Sequence, residues 1–337
     1  MAEWILRQGG KTRFRYLRGD GKPVRDERTL ERIRLLVVPP AWTDVHIAAS
    51  ARAEVQAWGM DAKGRKQYRY HSRAVERGQL RKYYRVRELA KDLPDIRRRV
   101  RAHAASRTPS KRAVAAAVVR LISESFFRIG SEKYATENKT FGIATLRKRH
   151  VQILDGRVVF TYVGKRSIKQ RQTVANRELA ALVRRQLTSP GTRLFRYKEG
   201  SHWHDLTSRD VNDYLHETLG VGYSAKDFRT WGGTLRAATV LAELGPGRTP
   251  AETKRNVMTT MRFVASELGN TPAICRKSYV HPLVVARYVD EGETIALTKK
   301  HVARADVYAH TPEERALIRF LDTHFPERRS RSRKEAA

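Results

Sequence analysis

Around position 270 one helix has to end and another begin almost at once, and any fold for this chain must accommodate that break. Val257, Met261, Val264 and Leu268 recur at helical spacing, and Gly269 stands where a left-handed C-cap belongs. Thr271 followed by Pro272 reads as an N-cap with proline at the first helical position. The short second helix carries Tyr279, with Arg276 and Lys277 beside it. Two readings stand at this point: a partly buried tyrosine with solvated basic neighbours, or a tyrosine presented for chemistry.

The chain before this break carries similar punctuation. Thr207-x-x-Asp210 is a capping box opening an amphipathic helix that closes at Gly220, and Asn176 to Leu187 is another such helix. Ser224-x-x-Asp227 opens a helix to about Leu244, which places Arg229 in its first turns, where free backbone amides favour an anion. Earlier still, a helix is expected from Pro109 to about Ile129, with Val114, Val118, Leu121, Ile122 and Phe126 as its apolar stripe and Gly130 as its end. Arg128 continues the series 114, 121, 128 and so falls close to the buried stripe. An arginine there needs a partner, either a structural carboxylate or an anion from a ligand. After Pro282 the pattern is helical again to about Leu321.

Strands are expected in two places. Val151 to Ile153 and Val158 to Val163 flank Asp155-Gly156, a hairpin signal, and the second strand ends at Gly164-Lys165, so Lys165 falls at an exposed tip. A lysine at such a tip is most often simply solvated. Residues 1 to about 78 read as a small mixed domain, with a short helix over Leu30, Ile33 and Val37. In it, Val55 to Met60 and Lys66 to His71 form strands joined across Asp61-Ala62-Lys63-Gly64. Tyr68 and Tyr70 share a face of the second strand, near Lys63, Arg65 and Lys66. Aromatics among cations suit a nucleic-acid surface; ordinary cross-strand packing of tyrosines is the alternative. From about Gly78 a charged helix follows, ending near the run Arg97-Arg98-Arg99 and Arg101, which is assigned only to general phosphate attraction.

Charge decides which class of partner to expect. Among 337 residues, lysine plus arginine outnumber aspartate plus glutamate 68 to 35, a formal charge of +33. Polyanions, above all nucleic-acid phosphates, are the natural partners. The single cysteine, Cys275, leaves no internal disulfide and no cysteine-based metal site, and the eleven histidines contain no HExxH-type pattern. No apolar run approaches membrane-spanning length, the start lacks a signal-peptide pattern, and no GxxxxGK[ST] loop is present. The expectation is a soluble intracellular protein without membrane, metal or nucleotide machinery.

Several of these segments resemble one known family. Phe126-Phe127-Arg128-Ile129-Gly130 through Glu137-Asn138, Tyr162-Val163-Gly164-Lys165, Lys226-Asp227-Phe228-Arg229-Thr230-Trp231-Gly232 and Gly269-Asn270-Thr271-Pro272 through Tyr279 closely resemble the small type IB DNA topoisomerases of the poxvirus and bacterial kind. Asp61 through Tyr70 resembles the DNA-contacting hairpin of that family. The resemblance implies an α+β protein in three parts. Residues 1–78 would be a β-rich DNA-clamping domain, and 79–326 a mostly helical catalytic domain with a β-hairpin, related to the tyrosine recombinases. Residues 327–337 would be a basic, disordered tail.

The resemblance further implies that Tyr279 attacks a backbone phosphate to leave a 3′-phosphotyrosyl link, that Arg128 and Arg229 clamp the non-bridging oxygens, and that Lys165 protonates the departing 5′-oxygen. It places Lys63, Arg65, Gln67, Tyr68, Tyr70, Lys133 and Tyr134 on the DNA. Asn270 stands where viral members carry histidine; its amide can donate a hydrogen bond to phosphate but cannot carry a proton. The implied protein is a monomer acting on duplex DNA in the cytoplasm, at the nucleoid, without metal, ATP or other cofactor. A tyrosine site-specific recombinase and a non-catalytic DNA architectural protein are the alternatives. Against the first stand the Lys63 to Tyr70 hairpin and the lack of an obvious C-terminal helix for exchange between protomers. Against the second stands the ordered set of arginines, lysine and tyrosine.

Overall fold

The computed structural model of the chain describes residues 3–10, 13–219, 222–297 and 306–325. Gly220 and the tail expected from residue 327 lie outside them. The chain divides into two compact units, Met1–Lys82 and Tyr83–Ala337.

The first unit contains β1 (Trp4–Gly9), β2 (Phe14–Leu17), α1 (Glu27–Leu35), β3 (Thr43–Ala48), β4 (Val55–Met60) and β5 (Lys66–Tyr70). The strands form one antiparallel sheet in the order β2-β1-β3-β4-β5. Asp26 caps α1 by accepting from the Thr29 amide, and α1 buries Ile33 among Ile5, Val24, Val45, Ile47 and Ala57. The expected turn between β4 and β5 is built on Asp61, whose Oδ1 accepts from the amides of Lys63 and Arg65. Side chains alternate along β5, so Tyr68 and Tyr70 stay exposed on one face with ring centroids 5.8 Å apart.

The division between the units falls within α2 (Ser72–Ala104), which starts earlier than the expected Gly78 and runs on through Pro94. There follow α3 (Lys111–Ser125), α4 (Glu132–Glu137), β6 (Val151–Leu154), β7 (Arg157–Val163), β8 (Lys169–Val174), α5 (Arg177–Leu187), β9 (Arg196–Glu199) and β10 (His202–Asp205). The remainder is α6 (Ser208–Leu219), α7 (Ala225–Leu244), α8 (Pro250–Leu268), α9 (Pro272–Ser278), α10 (Pro282–Glu291) and α11 (Pro312–His324). The expected β6–β7 hairpin gains a third antiparallel strand, β8, and β9 pairs with β10 as a separate ribbon. A small β-rich unit followed by a larger, mostly helical one is the α+β arrangement expected.

Helix α7 is the axis of the second unit. It is buried on nearly every side, including Phe228, Arg229, Thr230, Trp231, Thr234, Ala238 and Leu241. Glycines in a helix interior each cost roughly 0.5–1 kcal/mol. Two are kept here because neighbours sit directly on them: a methyl group on Gly232 would lie 2.0 Å from the Phe126 ring, and one on Gly233 would lie 2.8 Å from the Tyr279 carbonyl oxygen.

Four expectations need correction. Helix α3 ends at Ser125 rather than Ile129, because Phe126 takes a left-handed backbone (φ 54°) and its ring wedges against α7. Arg128 therefore leaves from a segment outside any helix, where its carbonyl accepts from the Ile143 amide at 2.8 Å. In the basic run of α2, Arg97 is held by the buried carboxylate of Glu314, while Arg98, Arg99 and Arg101 pair on the surface with Asp95, Asp306 and Glu178 and stay partly exposed. The start of α7 is engaged within the protein: the Asp227 carboxylate, 1% exposed, accepts from the Ser224 amide and hydroxyl and is held by Arg85 at 2.9 Å, and the Ala225 amide donates to Asn212 Oδ1 at 3.2 Å. Finally, the helix after Pro282 stops at Glu291 under a left-handed Gly292, and α11 starts afresh at Pro312.

Candidate active site

The C-terminal end of α8 organises the site. Gly269 takes the left-handed conformation (φ 59°) expected of it, so the chain turns and Thr271, accepting from the Ile274 amide, opens α9. The last carbonyls of a helix are unsatisfied and carry the negative end of its dipole. Two guanidinium groups dock there. Arg229, on α7 and 3% exposed, donates to the Leu268 carbonyl at 2.9 Å; Arg128 donates to the Gly269 carbonyl at 2.7 Å and to Asn270 Oδ1 at 2.5 Å.

Tyr279 ends α9, half-buried, with its ring centroid 5.1 Å from the guanidinium carbon of Arg229. Its backbone is clamped on α7: the Thr234 hydroxyl lies 3.3 Å from the Tyr279 carbonyl oxygen and accepts from the His281 amide at 3.0 Å. The other groups around the arginines are neutral. Burial pushes the Tyr162 phenol up to about 12, against the pull of Arg229 and Arg128, and its hydroxyl donates to Gln172 at 3.0 Å. Burial likewise pushes the Cys275 thiol up to about 11, against the same two arginines. Arg229 itself is lowered from 12.5, first by burial, with Tyr279 raising and Arg128 further lowering it.

Among the described residues, neither arginine has a carboxylate partner; backbone and amide oxygens and the Tyr279 side chain are what they reach. Arg229 Nε and Asn270 Nδ2 are buried and make no hydrogen bond. Two adjacent cations without a carboxylate partner among the described residues form an arrangement that can receive an anion.

Of the residues singled out from the sequence, the structure thus brings Arg128, Arg229, Asn270 and Tyr279 together. Lys165 stands exposed on the turn between β7 and β8, where Arg166 and Ser167 both adopt positive φ. Lys63, Arg65, Gln67, Tyr68 and Tyr70 cluster on the β4–β5 hairpin of the first unit. There, Arg65 and Gln67 are tied to Asp61 at 2.7 and 3.0 Å, while Lys63 and both tyrosines are exposed. Lys133 and Tyr134 are exposed on α4. Tyr162, Thr234 and Cys275 were not foreseen as neighbours of the site; Tyr162 and Cys275 lie within the motifs quoted above, but nothing in their local sequence marks them as lining it. No group of three or more His, Cys, Asp or Glu among the described residues could hold a metal ion, and no helix among them is long and apolar enough to cross a membrane.

Comparison with known proteins bears directly on this arrangement. The family described as "Eukaryotic DNA topoisomerase I, catalytic core" matches residues 71–306, and "Bacterial DNA topoisomerase IB, N-terminal domain" matches residues 13–61. A DNA topoisomerase 1B of Acanthamoeba polyphaga mimivirus is 30% identical over 301 residues, covering 87% of this chain and 90% of that protein. The DNA topoisomerase 1B of vaccinia virus (strain Copenhagen) is 26% identical over 287 residues, covering 80% of this chain and 85% of the viral one. Both domains, in order and over most of their length, match one kind of enzyme, and the chain belongs to the type IB DNA topoisomerase family.

Proposed function

We propose that this chain relaxes supercoiled duplex DNA by transient cleavage of one strand through Tyr279, rotation of the free end, and religation, without ATP or metal. The observation that carries the reading is the pair Arg128 and Arg229, unneutralised on the α8 carbonyls, with Arg229 5.1 Å from the Tyr279 ring. A phosphodiester seated there faces the phenol. The Tyr279 oxygen bonds to phosphorus, the phenol's proton passes to water, and the bond to the 5′-oxygen breaks as Lys165 supplies that oxygen with a proton. The arginines and the Asn270 amide meet the charge that builds on the non-bridging oxygens, a task a metal ion performs in other phosphoryl transfers. The covalent link keeps the bond's energy, so religation is the same step reversed.

In this reading residues 1–78 hold the duplex through Lys63, Arg65, Gln67, Tyr68 and Tyr70, and residues 79–326 carry the catalytic groups together with Lys133 and Tyr134. The protein acts as a monomer on DNA at the nucleoid. The test is relaxation of supercoiled plasmid in EDTA without ATP, comparing the wild type with Tyr279→Phe and probing for protein joined to a 3′ end. A ladder of relaxed topoisomers and an adduct, both absent in the variant, are expected. A wild type that shifts DNA on a gel, leaves supercoiling untouched and forms no adduct would replace this reading with an architectural one.

A further inference from the structure

The turn bearing Lys165 and the turn bearing Asn270 are linked by one side chain. Gln170, on β8 and 6% exposed, pairs in register with Tyr162 on β7. Its side chain lies between two glycines: a methyl group on Gly164 would sit 2.8 Å from Gln170 Cγ, and one on Gly269 would sit 1.8 Å from Gln170 Oε1. Gly164 immediately precedes Lys165, and its amide closes the turn on the Ile168 carbonyl at 2.8 Å. Gly269 immediately precedes Asn270, and its carbonyl receives Arg128. A continuous packed line therefore runs from the Lys165 turn through Gln170 to the Gly269 turn and Arg128. Gln170 is held by shape more than by hydrogen bonding, because among the described residues its Nε2 reaches only the neighbouring Lys169 carbonyl at 3.4 Å.

We propose that Gln170 is a positioning residue, a strut that fixes the Lys165 turn at the height of the phosphate seat made by Arg128 and Asn270. The inference rests on the reading of Lys165 as the acid for the 5′-oxygen. A buried side chain pressed between two glycine backbones leaves no slack between the turns they belong to; shortening it to alanine opens a gap on both sides and lets the hairpin end drift. Misplacing a proton donor by about 1 Å can cost on the order of a hundredfold in rate. The loss would fall on leaving-group protonation rather than on attack by Tyr279.

That distinction can be measured. Single-turnover cleavage is followed on a duplex carrying a cleavage site of the enzyme, mapped beforehand on plasmid DNA. The scissile linkage is either an ordinary phosphodiester or a 5′-bridging phosphorothiolate, whose thiolate leaves without needing a proton. Gln170→Ala is expected to slow cleavage of the ordinary substrate about a hundredfold, yet to cleave the phosphorothiolate within about threefold of the wild type. Gln170→Met, which keeps an unbranched chain of similar length, should stay within about threefold of the wild type on both.

Equal slowing of Gln170→Ala on the two substrates would overturn the strut, as would no slowing on either, or Gln170→Met behaving like alanine. Lys165→Ala separates this from the underlying reading. If the phosphorothiolate fails to rescue Lys165→Ala, the assignment of the acid itself falls. If it rescues Lys165→Ala but leaves Gln170→Ala slow, only the strut falls.

Discussion

Arg229 and Asn270 are the residues at which function and stability pull apart. Arg229 is buried with no carboxylate partner among the described residues, held by a helix-end carbonyl and facing a tyrosine ring. An uncompensated buried charge destabilises a fold, whereas in the proposed chemistry the same charge is preorganised for a phosphate that arrives later. Under the proposed chemistry, Arg229→Gln should lower single-turnover cleavage by about two to three powers of ten. In urea denaturation without DNA it should leave stability unchanged or raised, because no folded-state ion pair is lost. A parallel loss of both would mean that the arginine is structural. Asn270 makes a prediction about pH: its amide has no proton to lose between pH 5 and 8, so no limb of the cleavage rate near pH 6 should depend on it. Such a limb in the wild type that vanished in Asn270→Ala would contradict a purely hydrogen-bonding role for the amide.

At the scale of elements, the basic run on α2 belongs to the architecture of α11. Arg97 reaches the Glu314 carboxylate with both terminal nitrogens, at 2.5 and 3.0 Å, and Glu314 in turn completes the capping box with Thr311. Burial pushes the Glu314 carboxyl up, but the Arg97 hydrogen bonds and charge, with the Thr311 amide, outweigh it and hold the pKa below its ordinary 4.5. The sign follows directly. A carboxyl whose folded pKa lies below the unfolded one stabilises the fold above about pH 4.5, and that contribution fades as pH falls through the lower folded value. Glu314→Gln should cost about 2–3 kcal/mol in urea denaturation at neutral pH, since Arg97 is left without its partner. The gap between variant and wild type should close in acid. A gap that persists unchanged below pH 4 would count against the ion pair as its source.

For the whole molecule, the excess of 68 basic over 35 acidic residues governs binding before any specific contact does. Affinity for duplex DNA should fall by about three to five powers of ten between about 50 and 200 mM salt. Tyr279→Phe, which changes no charge, should keep the same slope. Lys63→Ala and Lys133→Ala should each flatten it by about one if those exposed lysines meet phosphates. An unchanged slope in either would remove that lysine from the DNA surface. Arg65 is a weaker candidate for such a contact than its place in the hairpin suggests, because Asp61 already holds it at 2.7 Å.

The sequence by itself determined whatever is settled within four or so residues. Gly269 had to end a helix, Thr271-Pro272 had to begin one, Ser224 and Asp227 had to cap one another, and Asp155-Gly156 had to turn a hairpin. In each the partner atoms are close along the chain, so local pattern suffices. The tertiary structure decided everything whose partner is distant. Phe126 ends α3 against a glycine of α7 and moves Arg128 off the helix; Arg85 claims Asp227; Glu314 claims Arg97; β8 joins the hairpin and carries Gln170 to Gly269. No periodicity or capping signal reports such pairings. They depend on which surfaces the packed core brings within a few ångströms, and at this site packing also left two arginines without a carboxylate partner among the described residues.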